Sequence, residues 1–436
     1  MARSGYTSDF MSTPNVNLPS DIRVNRPERC QREWRPFSLE EYISSDHRVR
    51  IVWCYVESLD VSPLYKKIKA VKSGAGRNAV DPRILIALWL YATIDAVSSA
   101  REIARLTESE LAYMWICGNV SVNYHMLSDF RTENCDFLEK VLTTTVAALM
   151  HSGAVTLETV AQDGVRVRAN AGSSSFRRQA TLEKCLEQAE AHVKKLAEQE
   201  SSDASKAQQS ARERAAKEQL ERAKDSLRQV TQLTEEREKR KKGTGAESRC
   251  STTDPDARKM KMGDGGYRPA YNVQLATDGG ARIVVGVSVT NVGNDFEQMA
   301  PMHEKIINDY GRTPENYLVD CGYPAVSQVT ELEKGGTRVY APVHGEESMR
   351  KRGKDPFARQ KRDTDESYQF RQRMATDEAK ELYKKRPSIA EFPHAEFRNR
   401  GLTQFRVRGH RKVLAVALWH AITFNLMRMI NLGVFM

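Results

Sequence analysis

VAQDGVRVRANAG, residues Val160 to Gly172, runs an apolar stretch into Asp163, places Gly164 behind it and sets the cations Arg166 and Arg168 just beyond. A short apolar run of this kind, bounded by a turn former, predicts a buried strand that closes on a carboxylate. YLVDCGY, residues 317 to 323, has the same form and closes on Asp320. Taken singly, either aspartate fits an ordinary strand-end turn. Taken as parallel neighbours, the two strands bring both carboxylates to one sheet end, where ligands of open α/β sheets sit.

The chain around these strands supplies the rest of a sheet. YRPAYNVQLAT and ARIVVGVSVT flank Asp278, Gly279 and Gly280, which predicts an antiparallel hairpin. Alternation places Asn272 and Gln274 on one face and Tyr271, Val273 and Leu275 on the other, the polar pair facing either the catalytic edge or solvent. A helix follows, with Asn294 as its expected cap and Glu297 three residues on; after YLVDCGY comes a helical crossover and the strand TRVYAPV. The order strand, insertion, hairpin, helix, strand, helix, strand predicts an α/β domain with a mixed sheet, over residues 153–176 and 251–436. Asp254, Asp256, Asp264 and Asp278 lie in loops with Gly or Pro and read as turn formers, and Asp295 as part of a helix start.

Two other segments have their own character. Residues 46–152 predict an all-helical domain, with capping boxes at Ser99/Glu102 and Thr107/Glu110 and a further helix from Asn123. Successive short helices of this kind suit DNA contact or packing alone. Between 177 and 250 the stripes Leu182, Leu186, Ala189, Val193, Leu196 and Leu220, Ala223, Leu227, Val230, Leu233 flank the breaker SSDAS, which predicts a coiled-coil hairpin inserted into the α/β domain. Residues 1–45 read as a flexible arm, and the basic run from Arg350 to Arg362 as a mobile loop.

The 436 residues are 40% apolar, and 67 Lys and Arg against 57 Asp and Glu give a net charge of +10 and a pI near 9.1. Such an excess suits a polyanionic partner or serves solubility. The seven cysteines are scattered with no Cys-x-x-Cys pair, against a zinc knuckle or disulfide framework. No run nears the roughly 20 apolar residues of a membrane span and no signal peptide is read at the start, so the expectation is a cytoplasmic protein with no membrane partner.

Two carboxylates at one sheet end suit phosphoryl transfer on a nucleic acid. That chemistry needs an activated oxygen nucleophile and a stabilised leaving oxygen, which two hard cations supply, and magnesium takes carboxylate oxygens without a His or Cys cage. A third acid is expected from a helix over the sheet. Between Lys384 and Lys412 nine Lys or Arg surround only Glu391 and Glu396, and Tyr383, Arg386 and Arg398 are candidate phosphate contacts. Histidine is unnecessary in such a scheme, so His394 and His410 read as structural or DNA-surface residues.

These residues carry a resemblance. SSAREI and the later Phe130–Arg131, the Asp163–Gly164 pair, the block STTDPDARKMKMGDGGYRPAYNVQLATD from Ser251, the DCGY at Asp320 to Tyr323, and Tyr383, Arg386 and Glu391 followed by RGHRKV and HAITFNLMRM make the chain similar to bacterial insertion-sequence transposases of the DDE type. The resemblance implies a ribonuclease-H-like catalytic domain and a metal-binding triad of Asp163, Asp320 and Glu391. It implies two Mg²⁺ ions, Mn²⁺ substituting, and DNA contacts from Tyr383, Arg386, Arg398, Arg400, Arg408 and Lys412. It also implies cleavage at terminal inverted repeats and joining to target DNA, by a homodimer or higher oligomer at the nucleoid. Two departures stand out: Arg398 replaces the expected lysine, and the Arg386–Glu391 interval is one residue longer than in some relatives, which leaves Glu396 as a rival. The other readings are a nuclease that cuts without joining and an inactive DNA-binding regulator.

Overall fold

The computed structural model describes residues 38–70, 78–198, 206–239 and 248–434. The N-terminal third is helical: α1 (Leu39–Tyr42), α2 (Arg48–Ser58), α3 (Ser62–Tyr65), α4 (Pro82–Ile94), α5 (Ala100–Ser109), α6 (Leu111–Cys117), α7 (Tyr124–Glu133) and α8 (Cys135–His151). The arm expected over 1–45 lies outside the described residues as far as position 37; α1 is tied down where Glu40 accepts from Trp115 Nε1 at 2.8 Å and pairs with Arg50. Ser99 caps α5 through the Glu102 N–H, and Asn123 caps α7 through the His125 N–H at 2.9 Å. Thr107 is no cap: it lies inside α5, its hydroxyl bonded back to the Ala104 carbonyl, and α6 starts from Glu110 without side-chain help.

The α/β part begins with β1 (Thr159–Arg168) and β2 (Phe176–Arg177). Two long helices follow, α9 (Gln179–Glu198) and α10 (Lys206–Lys239), packed on each other with Leu182 and Val230 buried beside Cys250. The breaker SSDAS between them lies outside the described residues. Then come β3 (Cys250–Ser251), β4 (Arg258–Lys261), β5 (Tyr267–Asp278), β6 (Val284–Thr290), α11 (Met299–Tyr310), β7 (Asn316–Leu318), α12 (Val326–Lys334) and β8 (Arg338–Tyr340). The chain ends with α13 (Glu346–Lys351), α14 (Asp365–Ala375), α15 (Asp377–Tyr383), α16 (Arg386–Asn399) and α17 (His410–Leu432).

The result is a mixed α/β fold. Its main sheet runs β4–β5–β1–β7–β8, with β6 also on β5. β5 is antiparallel to β1, β4 and β6, whereas β7 is parallel to β1 and β8 parallel to β7. The hairpin turn is fixed by Asp278, which accepts from the N–H groups of Gly280, Ala281 and, across the sheet, Leu157. Asp264 is likewise a turn former. Asp254 and Asp256 do more: Asp254 accepts from Tyr271 Oη and the Gly409 N–H, and Asp256 from the His410 N–H and from Gln229 of α10.

Three expectations need correction. α11 starts at Met299, so neither Asn294 nor Asp295 opens it. The basic run is a loop only from Arg352 on, because Arg350 and Lys351 close α13 against Glu346 and Glu347, and within the loop Arg359 pairs with Asp365. α17 is long and apolar enough by length and composition to cross a membrane, which reading the sequence for unbroken apolar runs missed; 78% of its most apolar window is buried here, as in a core helix. α17 packs on α4, α7, α8 and β6 together, so one continuous apolar core spans the helical third and the sheet.

Candidate active site

The β1–β7 ladder pairs Thr159, Val160 and Ala161 with Asn316, Tyr317 and Leu318. Asp163 and Asp320 each stand two residues beyond the last pair of that ladder, and the charge of Asp320 acts on Asp163. Asp163 does not close its strand: β1 continues to Arg168 along β5, with Asp163 opposite Leu275, and only the partnership with β7 stops before it. The Asp320 carboxylate is exposed and accepts the Cys321 N–H at 2.7 Å, a bond made within its own turn.

α16 covers the sheet beside Asp163. Ile389, Ala390, Pro393, His394 and Phe397 form its buried stripe against β1, β5 and α17. The helix is 14 residues long and continues through Pro393, although proline removes one backbone donor from its ladder. Arg386, buried in its first turn, brings Nη2 to 2.9 Å from Asp163 Oδ1 and Nη1 to 3.9 Å from Glu391 Oε1. Glu391 is the more open partner, with 60% of its side chain exposed. Glu396 instead pairs with Arg400 at 2.9 Å.

Burial pushes the Asp163 carboxyl up to about 6; Arg386 and the Gly164 N–H pull it down, and the charges of Asp295 and Asp320 push it further up. Nε2 of His394 stands 3.9 Å from Asp163 Oδ2, and neither ring nitrogen has a hydrogen-bond partner; burial holds the imidazole down at about 4. Tyr383, at the end of α15, is half-buried beside Arg386 and Asp320, its hydroxyl pushed up to about 12 by burial. The site therefore joins two aspartates, one glutamate and a guanidinium between acids.

Family comparison bears on this arrangement. The transposase domain (DUF772) matches residues 37–133, and the transposase DDE domain matches residues 243–426, which hold Asp320 and Glu391. The chain is an insertion-sequence DDE transposase. No curated protein and no solved structure matches it. β1 with Asp163, and the helices α9 and α10, fall between the two matched segments of the transposase.

Of the expected DNA contacts, only Tyr383 and Arg386 stand at the acids of the transposase. Arg398 is exposed on the last turn of α16, with Nε donating to the His394 carbonyl at 3.3 Å; Arg400 is engaged by Glu396; Arg408 and Lys412 are exposed farther along the chain. Among the described residues no three His, Cys, Asp or Glu side chains stand close enough to hold a metal ion between them. The donor chemistry nonetheless suits a hard divalent cation: oxygen ligands, one of them buried among like charges, with a guanidinium now supplying positive charge between two of the three acids.

Asp295 is the residue that sequence reasoning missed. Its Oδ1 accepts from Asn272 Nδ2 and Gln274 Nε2, each at 2.7 Å, and Oδ2 lies 3.8 Å from Arg166. Gln274 Oε1 in turn accepts from Tyr323 Oη at 2.6 Å and Gln162 Nε2 at 2.8 Å. Asn272 and Gln274 are thus wholly buried and share a face, as alternation required, but they hold an acid rather than solvent. Two amides without carboxylate partners in the sequence were the available signal. The loop that brings Asp295 in holds Glu297 at φ 66°, a conformation rare outside glycine.

Proposed function

We propose that this transposase cleaves the ends of its element in a metal-dependent reaction and transfers them to target DNA. In this reading the sheet is ribonuclease-H-like, which the order β6–β5–β1–β7–β8 supports, with the first three strands antiparallel and the last two parallel to β1. The observation that carries it is the placement of Arg386 between Asp163 and Glu391 while the charge of Asp320 acts on Asp163. Nothing in a structural ion pair requires Asp320 beside Asp163 and a buried guanidinium that also reaches Glu391.

Asp163, Asp320 and Glu391 are the residues that would hold Mg²⁺ or Mn²⁺. Two bound divalent ions supply the charge that activates water or a 3′-hydroxyl and stabilises the leaving 3′-oxygen. The chain's own residues do the rest. Arg386 holds Asp163 and would offer its planar fork to a phosphate at the acids. Tyr383 and Arg398 orient the strand, Arg398 by a bidentate grip where lysine would offer a point charge. Arg400, Arg408 and Lys412 extend the phosphate contacts. Helices of residues 46–152 recognise the terminal repeats, and α9 and α10 form a coiled-coil hairpin within the catalytic domain. The assembly on DNA is a homodimer or larger, at the nucleoid in the cytoplasm.

The test is a labelled duplex bearing the flanking inverted repeats, with magnesium or manganese. Asp163→Asn, Asp320→Asn and Glu391→Gln abolish both cutting and joining, and Glu396→Gln keeps both. Loss of activity in Glu396→Gln alone overturns the assignment of the third acid. Cutting without joining by the wild type indicates a nuclease, and binding without cutting indicates a regulator.

A further inference from the structure

A cavity of about 480 Å³ lies between the helical third and the segment that follows α16, lined by Ser98, Asn170, Thr403, Gln404, Phe405 and Arg406, with Gly401 at its edge. Its walls follow from local pattern. Residues 403–408 run beside the end of β1: the Arg168 N–H donates to the Thr403 carbonyl at 3.4 Å, and the Phe405 N–H to the Arg168 carbonyl at 2.8 Å. In this extended run Phe405 and Val407 are buried, so Gln404, Arg406 and Arg408 point outward. Asn170 pins the run from the other side, donating to the Arg406 carbonyl at 3.1 Å and accepting from Arg408 Nε at 3.3 Å.

Behind Ser98 stands Arg131. The residue is 8% exposed, and its guanidinium donates one bond to the Ser98 carbonyl at 2.9 Å, lies 4.7 Å from the centre of the Trp89 ring and leaves Nε without a partner. No carboxylate lies within 4 Å of Arg131, Arg168, Arg406 or Arg408 among the described residues, whereas the other mostly buried guanidiniums near the acids and the sheet, Arg371, Arg373 and Arg386, each pair with a carboxylate. A buried guanidinium without an anion is costly, and a second cation nearby adds to the cost. Arg131 and Arg406 stand near enough to repel each other, and no carboxylate touches either.

We propose that this cavity binds a backbone phosphate of DNA, gripped by Arg406 and the polar groups of Asn170, Gln404 and Ser98, with Arg131 as the fixed positive charge behind it. The inference rests on the reading that the chain acts on DNA, and it adds a site away from the acids. Five strand residues separate Asp163 from Arg168, about 16 Å at the rise of a strand, or about five base steps along a duplex. The site therefore holds the duplex upstream or downstream of the reacting phosphate and fixes its register.

The test measures binding of the full chain to a fluorescent duplex in EDTA, where no cleavage interferes, over a series of salt concentrations. Arg406→Gln lowers affinity about tenfold at low salt and reduces the slope of log K against log salt by about 0.9, the value for one phosphate. Arg131→Gln acts in the same direction, and Arg131→Lys restores the slope. Replacing single phosphates by neutral methylphosphonates finds one position at which the Arg406→Gln loss disappears. An unchanged slope in Arg406→Gln, or losses that add at every methylphosphonate position, overturns the site while leaving the catalytic reading intact. Failure of the wild type to bind any duplex overturns both.

Discussion

The Asp295 carboxylate occupies the space that a side chain on Gly164 would need. A β-carbon there would also lie 2.8 Å from Asn272 Oδ1, with Gln274 in the way as well. Gly164 directly follows Asp163, and Asp295 reaches its position behind the strand because Gly164 has no side chain. Gly164→Ala is expected to cost about 1–3 kcal/mol by overpacking and to cut catalysis more than DNA binding. Denaturant unfolding and a cleavage assay on one preparation check this; wild-type stability with wild-type cleavage would show that the loop yields freely.

Asp295→Asn keeps an oxygen for the two amides and should fold. Asp295→Leu leaves the Asn272 and Gln274 donors buried and unpaired, at about 1–3 kcal/mol. The pair separates charge from hydrogen bonding: a fall in cleavage common to both variants assigns the effect to charge, and a fall in the leucine variant alone assigns it to structure.

Removing Arg386 strands a mostly buried carboxylate. Arg386→Gln is expected to destabilise by about 3–5 kcal/mol, and adding Asp163→Asn should recover most of that loss. Urea unfolding of the two single variants and the double variant gives the coupling; strict additivity would mean that the 2.9 Å contact carries no net energy.

The Asp163 carboxyl sits above its ordinary value, at about 6. A raised acid favours the folded state when protonated, so its contribution is present below the unfolded value near 4 and is lost as pH rises through about 6. Metal-free wild type should therefore lose up to about 3 kcal/mol of stability between pH 4 and pH 7 relative to a chain without this group, and Asp163→Asn should flatten that part of the pH profile. Magnesium should raise the wild-type melting temperature and leave that of the variant unchanged.

His303 moves the other way. Burial holds its ring down at about 4, with Nε2 bonded to Thr337 Oγ1 at 2.7 Å. A depressed base stabilises the fold above its unfolded value near 6.5, and that contribution is lost as pH falls toward 4. His303→Gln should flatten the decline in unfolding free energy between pH 6.5 and 4.5; an equally steep decline would place the titration elsewhere, as at the buried His420.

What could be read from sequence followed from local chemistry. Ser99 caps where its spacing said, a helix opens at Asn123, the Asp278 turn closes its hairpin, and the two apolar runs before Asp163 and Asp320 are parallel neighbours. Thr107 failed because a capping spacing also occurs inside a helix, where the hydroxyl bonds backward. Asp295 failed because its partners lie more than 20 residues away on another strand, and no local pattern carries such a contact. The orientation of His394 toward Asp163 depends on how α16 seats over the sheet, which its apolar stripe fixes only after β1 is placed.

α17 lies against α4, α7, α8 and β6 at once. A duplex engaged by both the helical third and the sheet consequently meets a single stiff body, and any misfit between the two footholds falls on the nucleic acid. Bending stiffness then becomes a means of selection: element ends with easily kinked pyrimidine–purine steps at the bend fit at lower cost than rigid A-tracts, even where no side chain reads a base.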